Sequence, residues 1–304
     1  MAPTLRAVAE QLVADVPVIG GGLLPKHADE TDPRWAWADR ALVHVDALCQ
    51  GDRERFDAAI ESFAVTSLDF LRLQARFRKT GRYAASEASE FRELYDDAEE
   101  MIGYLDGLAL SYAMWPNHAS MVGFFVDAFV ADLPDDVSVM EIGPGHGLFA
   151  SLLAERKSAL DYVGVDISER SLDYTRRSLD AANVSPDRHR LVCADAASDA
   201  FEALVGQDAF DTVICCEVLE HVDEPRDLLR AIHKRLRPDG HAFLSTVANL
   251  EAVDHVYLYD DLDHIHAHFA ETGFEVVAEQ PLALPGAENE QPLPLNYSAV
   301  VRRA

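Results

Sequence analysis

The sequence predicts a two-part protein, in which an all-helical N-terminal region precedes an α/β domain built on a parallel β-sheet. Apolar residues recur at three- and four-residue spacing up to about residue 132, and short β-rich runs alternate with helical segments after it. In addition, the stretch 139–147, VMEIGPGHG, places a glycine-rich turn between a strand-like run and a helical one. We therefore expect a helical cap over residues 1–132 and an α/β domain over residues 133–304.

Helical periodicity is clearest in two segments of the N-terminal region. The first, residues 52–79, carries Phe56, Ile60, Phe63, Leu68 and Leu71 at helical spacing, and the second extends from about residue 86 to 115. The loop IGGGLLPKHADETDP, residues 19–33, is expected to separate the first helix of the chain from the next.

The α/β domain is predicted from five β-rich runs with helical segments between them. The runs are VSVMEI, LDYVGVDI, HRLVCAD, FDTVICCEV and HAFLSTV. Such alternation is typical of βαβ units, whose parallel sheet is covered by helices on both faces. Two further β-like runs, FEVVAEQPL and NYSAVVRRA, are joined by a Pro-rich loop without a helix, so we expect them to pair antiparallel at one edge.

Composition limits the classes of partner. The formal net charge of −27 disfavours nucleic acid and anionic membrane surfaces, both of which would repel the chain. No apolar run reaches membrane-spanning length, and the N-terminus lacks the pattern of a signal peptide. Cys193, Cys215 and Cys216 lie in strand-like runs, so we expect buried thiols in a reducing cytoplasm.

The glycine turn does not match a dinucleotide fingerprint. Gly143 and Gly145 fit the pattern GxGxxG, but its last position is occupied by Leu148, and the third glycine is Gly147. Glu141 precedes the turn, where a carboxylate would repel a pyrophosphate. It suits a cationic ligand or one that donates hydrogen bonds.

Two aspartates follow the next two strands. Asp166 comes about 20 residues after the turn, where a carboxylate can accept hydrogen bonds from ribose hydroxyls, and Asp195 ends the third strand, where an adenine amino group could donate to it. Each alone is more often the cap of the following helix. Their order after a glycine turn favours a nucleoside site.

Five motifs together resemble the class I S-adenosylmethionine-dependent methyltransferases, especially the small-molecule branch that includes quinone-biosynthesis enzymes. They are VMEIGPGHG, VGVDIS, CADA, FDTVICCEVLEHVDEP and LRPDGHAFLST, which span residues 137–247. The resemblance implies a Rossmann-like sheet of seven strands with the last strand antiparallel. It also implies S-adenosyl-L-methionine as cofactor, which carries no phosphate and so tolerates an acidic turn.

The resemblance assigns cofactor roles to particular residues. Those that would border the methionine part are Glu141, Gly143, Gly145 and Gly147. Asp166 would hold the ribose and Ile167 would pack on adenine, while Asp195 and Ala196 would meet the adenine edge. Val218, together with Glu217, would lie near the sulfonium and the methyl acceptor.

Candidate catalytic residues cluster in CCEVLEHVDEP. If this segment is helical, Glu217 and His221 share a face, and His221 could act as a base toward the acceptor. Alternatively, His221 is a packing residue. Glu217 and Glu220 could embrace an amine or guanidine nitrogen, although Glu220 could equally be a solvated surface residue.

Two other segments are candidates for acceptor binding. After the fifth strand lie His255 and Tyr257, and His264 and His268 follow four residues apart on a helix that Asp260 is expected to cap. That spacing suits a metal, but no further ligand set accompanies it, so we predict no metal site.

The segment SYAMWPNHASM supplies the second set of candidates: Tyr112, Trp115, Asn117 and His118. The Trp115–Pro116 pair is expected to break one helix before Asn117 caps the next. Helix packing is an alternative role for all four.

The predicted function is methyl transfer to a small-molecule acceptor in natural-product (antibiotic) biosynthesis, with a small preference for nitrogen over hydroxyl oxygen. The helical cap would form an acceptor lid and a homodimer surface. The alternative is a protein that binds the same cofactor without transferring methyl groups, such as a cyclase or a regulator. A nicotinamide oxidoreductase is disfavoured by Leu148.

Overall fold

A computed structural model describes residues 4–20, 34–91, 95, 98–198, 201, 204–205 and 209–304. Most of the loop expected between the first two helices, residues 21–33, lies outside the described residues. Among the described residues no helix is long and apolar enough to cross a membrane.

The first part of the chain is helical, as expected. The α-helices whose bounds lie within the described residues are α1 (Leu5–Asp15), α2 (Pro17–Gly20), α3 (Arg34–Leu48), α4 (Arg53–Thr80), α5 (Ala98–Met114) and α6 (Pro116–Phe124). Helix α4 begins where Asp52 accepts hydrogen bonds from the backbone N–H groups of Glu54 and Arg55. It ends at Gly81, whose left-handed conformation closes the last turn. A π-helical turn, Phe125–Phe129, and a 3₁₀ turn, Val130–Asp132, continue α6 to the sheet.

The sheet has seven strands. They are β1 (Ser138–Ile142), β2 (Asp161–Asp166), β3 (His189–Cys193), β4 (Phe210–Cys216), β5 (Leu236–Ala248), β6 (Phe274–Ala283) and β7 (Leu295–Arg303). Their order is β3-β2-β1-β4-β5-β7-β6. Strands β1 to β5 run parallel, and β7 pairs antiparallel with both β5 and β6. The parallel sheet, the reversed last strand and the antiparallel pair near one edge are thus confirmed.

Four helices whose bounds lie within the described residues connect the strands: α7 (Leu148–Ala154), α8 (Glu169–Ala181), α9 (Pro225–Arg235) and α10 (Leu262–Glu271). Successive side chains of β4 point to opposite faces, as strand geometry requires. Ile214 joins a core that includes α7, α8 and the N-terminal helices, whereas Cys215 joins the core beneath α9 and α10.

The N-terminal helices share the first of these cores with the sheet. Phe63 of α4 and Leu105 of α5 belong to the same buried cluster as Phe149 and Phe243. The turn after α6 lies directly on the sheet, since the ring of Phe125 packs edge-on against Phe243 at a centroid distance of 5.0 Å. A continuous core therefore joins the helical region to the α/β region.

One cysteine differs from expectation. Cys215 and Cys216 are buried, but Cys193 is exposed. It is the last residue of β3, which lies at the edge of the sheet.

Candidate active site

The predicted site residues follow the carboxyl ends of β1, β2, β3 and β4. In the strand order, β1 lies between β2 and β4, so the chain reverses direction across the sheet at this position. Ligands of open α/β sheets bind at such a switch point.

The glycine turn after β1 needs its glycines for two reasons. Gly143, Gly145 and Gly147 have φ angles of +67°, +53° and +78°, in the region that residues with a Cβ rarely adopt. A Cβ on Gly143 would lie 2.6 Å from Val218 Cγ2, and one on Gly147 would lie 2.9 Å from the Cα of Thr175. At Gly145 a Cβ would meet nothing closer than 3.9 Å, so only the backbone conformation requires glycine there.

Two buried carboxylates flank this turn. Glu141 accepts a 2.6 Å hydrogen bond from the Tyr162 hydroxyl, and burial raises its pKa to about 7. Asp166 accepts hydrogen bonds from the backbone N–H groups of Ser168 (2.9 Å) and Gly145 (3.3 Å). Burial nevertheless raises the pKa of Asp166 to about 6. The cap of α8 is Ser168, so Asp166 does not serve as that helix's cap.

Two of the three residues predicted to contact adenine are more exposed to solvent than Asp166. Ile167 exposes 53% of its surface directly after Asp166, which is unusual for an isoleucine at a strand end. Ala196 is buried, and Asp195 is exposed and accepts a 2.8 Å hydrogen bond from the backbone N–H of Ala197. Asp195 therefore stabilises the local turn that follows β3.

A cavity of about 840 Å³ adjoins the turn after β4. Glu217, Glu220 and His221 line one side of it, and α4 and α5 line the other. The segment is not the helix on which the shared face was predicted, because Glu217 has a φ of +51° and only Leu219–His221 form a 3₁₀ turn. The three side chains nevertheless line the same cavity.

Glu217 is held by the sheet. Its backbone N–H donates to Ser245 Oγ (3.0 Å), and its carboxylate accepts from Ser245 Oγ (2.8 Å) and Asn296 Nδ2 (3.4 Å). Burial and the neighbouring Glu220 raise the pKa of Glu217 well above its ordinary value. Burial therefore disfavours the charged form of this carboxyl, while its two donors favour it.

Glu220 is fully buried, so the prediction that it could be a solvated residue is wrong. Its Oε2 accepts a 2.7 Å hydrogen bond from Thr246 Oγ1, while Oε1 has no hydrogen-bond partner among the described residues. Its backbone carbonyl accepts from the N–H groups of Val256 and Tyr257 and so ties the turn to the segment after β5. An orphan carboxylate oxygen in a cavity wall is costly unless a ligand satisfies it.

His221 is oriented by Asp254. The ring Nδ1 lies 3.0 Å from the Asp254 carbonyl oxygen and 3.4 Å from its Oδ2. Burial opposes the charged ring, but Asp254 and Glu220 outweigh it and raise the pKa of His221. Asp254 in turn accepts 2.9 Å hydrogen bonds from the hydroxyls of Tyr95 and Tyr104. Since a carbonyl only accepts, Nδ1 carries the proton and Nε2 of the neutral ring keeps a lone pair.

The predicted acceptor-binding residues separate into two groups. Trp115, Asn117, His118 and His255 line the cavity. Tyr112 instead packs in the core, with its ring 4.7 Å from that of His118 and 5.0 Å from that of His146. Tyr257 is outside the residues that line this cavity, and its hydroxyl lies 3.3 Å from Nε2 of both His264 and His268.

Two cap predictions are wrong. Helix α6 begins with Trp115 as N-cap and Pro116 in the first turn, so Asn117 is not the cap. Its amide donates instead to Asn296 Oδ1 (3.0 Å), which links it to the Glu217 carboxylate through Asn296. Helix α10 is capped by Asp261, not Asp260, because Asp261 Oδ1 accepts from the backbone N–H of His264.

Sequence reasoning missed Asp254, Asn296 and Tyr104. Asp254 directly precedes His255 in the sequence, and a polar side chain beside a candidate was the available signal. Asn296 opens the strand-like run NYSAVV, and nothing in its neighbourhood distinguishes it from an ordinary strand residue. Only the fold brings β7 and α5 to the turn after β4.

The fold and the site define the class I S-adenosylmethionine-dependent methyltransferases, whose sheet order, reversed last strand and glycine turn are all present. The family model described as a methyltransferase domain matches residues 121–279, more than half of the chain. The protein therefore belongs to this family.

Comparison with known proteins agrees on the fold. A ubiquinone biosynthesis O-methyltransferase from Neisseria meningitidis serogroup A is 27% identical over 173 residues, 57% of this chain and 60% of that protein's length. The chain thus spans less than two thirds of that relative. The mitomycin 7-O-methyltransferase MmcR superposes with a TM-score of 0.58 at 14% identity, over 99% of this chain and 88% of the other. The [4+2]-cyclase SpnF gives 0.55 at 16% identity, over 72% and 97%.

S-adenosyl-L-methionine is the cofactor of this family, and the residues present fit it. Asp166 offers a buried carboxylate for the ribose hydroxyls, and Ile167 offers exposed apolar surface for adenine. Glu141 and the glycine turn would border the methionine part. Buried carboxylates with raised pKa values suit a ligand that brings positive charge and hydroxyl donors.

Proposed function

We propose that the protein transfers a methyl group to a small molecule that binds in the cavity between α4, α5 and the turn after β4. The observation that supports this most directly is the cavity itself, because Glu217, Glu220 and His221 line it beside the cofactor-binding turn. Its volume of about 840 Å³ lies within the range of small-molecule sites.

S-adenosylmethionine, when bound, supplies an activated methyl group on a sulfonium. The chain's own contribution is position and exclusion of water. Helices α4 and α5 wall the cavity on the side away from the sheet. Asn117, Asn296 and Glu217 form a hydrogen-bonded chain along its wall, which can orient polar groups of the acceptor.

We favour a hydroxyl acceptor. Burial raises the pKa of both Glu217 and Glu220, so the environment disfavours the anionic pair that an amine acceptor would need. In its neutral form the His221 ring has an acceptor nitrogen, Nε2, which could take the proton of a hydroxyl group. The Neisseria relative carries the name of an O-methyltransferase.

An amine or guanidine acceptor is the second candidate. Six acidic residues line the cavity, Glu61, Asp69, Glu100, Glu217, Glu220 and Asp254, and no Lys or Arg is among its described lining residues. A cation would relieve this charge imbalance.

The discriminating experiment measures release of S-adenosylhomocysteine with a panel of phenols and amines. We expect phenols to turn over and Glu217→Gln to lower kcat/KM for the acceptor, while Glu224→Gln, an exposed neighbour, changes nothing. Turnover of amines alone, abolished by Glu217→Gln, would assign the methyl group to nitrogen.

A cofactor-binding protein without methyl transfer is the third reading, since SpnF, named as a cyclase, shares the fold. Calorimetry that shows cofactor binding, with no release of S-adenosylhomocysteine by any panel member, would favour it.

We further propose a role in natural-product biosynthesis in the cytoplasm and a homodimer formed through the helical region, where Val13, Val18 and Val65 are exposed. A monomer in sedimentation equilibrium would exclude that dimer.

A further inference from the structure

Three side chains that can bind a metal converge in the wall of the cavity. Glu220, His221 and His255 each offer one ligand atom, and these atoms lie within 4.8 Å of one another. Two of the three side chains are buried and the third is half-buried, so this is not a cluster of surface residues. His255 lies 34 residues from His221 in the sequence and reaches it through the segment after β5.

Both histidines are oriented through their other ring nitrogen. His221 Nδ1 donates to the Asp254 carbonyl (3.0 Å), and His255 Nδ1 donates to the Leu250 carbonyl (2.7 Å). Each ring therefore leaves Nε2 with a lone pair. Metal-binding histidines almost always have such a partner, which fixes the tautomer and the ring plane.

The carboxylate completes the set. Thr246 Oγ1 donates to Glu220 Oε2, while Oε1 is buried in the cavity wall without a hydrogen-bond partner among the described residues. The described cavity lining also holds six acidic residues without Lys or Arg. A buried carboxylate oxygen without a hydrogen-bond partner is costly, and a bound cation would both satisfy it and favour the charged form of Glu220.

We propose that Glu220, His221 and His255 bind a divalent transition-metal ion, with its remaining coordination positions open to the cavity. Two imidazoles and one carboxylate suit Zn²⁺, Mn²⁺, Fe²⁺ or Co²⁺ better than Mg²⁺, which prefers oxygen ligands. If the proposed function holds, the open positions would bind the acceptor's hydroxyl oxygen, so acceptors with two adjacent oxygen donors would bind best. Binding of the metal ion by these three residues does not depend on the proposed function.

The test uses the full chain, freed of metal with a chelator, and needs neither cofactor nor acceptor. Equilibrium dialysis against Zn²⁺, Mn²⁺ and Co²⁺ should show one ion per chain, and Co²⁺ should give a visible absorption spectrum of nitrogen and oxygen coordination. His255→Gln should weaken binding at least about tenfold and change the Co²⁺ spectrum. His264→Gln is the matched control, because His264 and His268 form a separate pair whose rings lie 4.9 Å apart.

Glu220→Gln is the second variant, with circular dichroism and S-adenosylhomocysteine binding as checks of folding. If it does not fold, His255→Gln decides. Binding that His255→Gln leaves unchanged, or that His264→Gln weakens equally, would overturn the proposal. A protein that binds no metal ion would also overturn the proposal. If it binds simple amines instead, the cavity accepts a cationic methyl acceptor. A protein that binds the metal ion but transfers no methyl group would contradict the proposed function and leave the metal-site proposal standing.

Discussion

At the scale of single residues, buried charge marks the cofactor side of the site. Asp166 is buried, and its carboxylate depends on two backbone N–H groups for its hydrogen bonds. The cost of burial shows in a pKa raised to about 6.

We expect Asp166→Ala to weaken S-adenosylhomocysteine binding by about 1–3 kcal/mol, because the ribose hydroxyls and the N–H groups of Gly145 and Ser168 would lose their acceptor. Isothermal calorimetry measures the effect. Asp161→Ala, an exposed aspartate at the start of β2, is the control. Equal affinity in Asp166→Ala and the parent protein would refute the ribose assignment.

A second residue-scale prediction concerns His44 of α3, whose Nε2 lies 3.0 Å from the carbonyl oxygen of His146 in the glycine turn. Burial lowers the pKa of His44 to about 4, and Arg40 adds to this effect, while the His146 carbonyl opposes it. The unfolded chain therefore binds the proton more tightly. The stability contribution is complete above the unfolded pKa of about 6.5 and is lost as pH falls toward 4.

Between pH 7 and pH 5, His44 should account for a loss of about 2 kcal/mol in the free energy of unfolding. Urea denaturation at both pH values should therefore show a smaller loss for His44→Gln than for the parent protein. The buried His118 and His146 also have lowered pKa values and remain in both proteins, so only the difference between the two counts. Identical losses would contradict the prediction.

At the scale of elements, helix α5 connects the helical region to the turn after β4, where the proposed catalytic residues lie. Tyr104 of α5 and Tyr95 donate to Asp254, and Asp254 holds His221. In the same segment after β5, the buried Glu251 forms a 2.8 Å ion pair with Arg76 of α4. The segment after β5 is thus fixed by helices that the sequence presents as a separate region.

We expect Tyr104→Phe to lower kcat roughly tenfold, the equivalent of about 1.4 kcal/mol, because Asp254 loses one of its two phenolic donors. Affinity for S-adenosylhomocysteine should be unchanged, since Tyr104 is assigned no cofactor contact. Steady-state kinetics with calorimetry separates the two. Ile102→Ala, exposed on the same helix, is the control. A kcat equal to that of the parent protein would show that α5 does not position His221.

At the scale of the whole molecule, the continuous core predicts cooperative unfolding. All three tryptophans, Trp35, Trp37 and Trp115, lie in the helical region, whereas Cys215 and Cys216 lie buried in β4. Tryptophan fluorescence and thiol labelling, in a Cys49→Ala, Cys193→Ser background, should therefore report the same urea midpoint. Two separate midpoints would show that residues 1–132 and 133–304 unfold independently.

The site was predictable from the sequence where its chemistry is local. Three features are visible as short-range sequence patterns: glycines at positions of positive φ, a carboxylate at a strand end, and Glu217, Glu220 and His221 within five residues. The cap predictions at Asn117 and Asp260 failed because a cap depends on the exact first turn, which the neighbouring Pro116 and Asp261 decided.

The sequence by itself determined the alternation of strands and helices, the glycine turn and the order of residues along the sheet edge, because periodicity and backbone sterics act over a few residues. Only the tertiary structure decided that Asp254, His255, Asn296 and Tyr104 lie around one cavity with Glu220 and His221. The cavity thus brings together positions separated by up to 192 residues, the distance in sequence between Tyr104 and Asn296. Sheet order and helix packing bring these residues together. No local sequence pattern shows which distant side chains will surround a buried carboxylate.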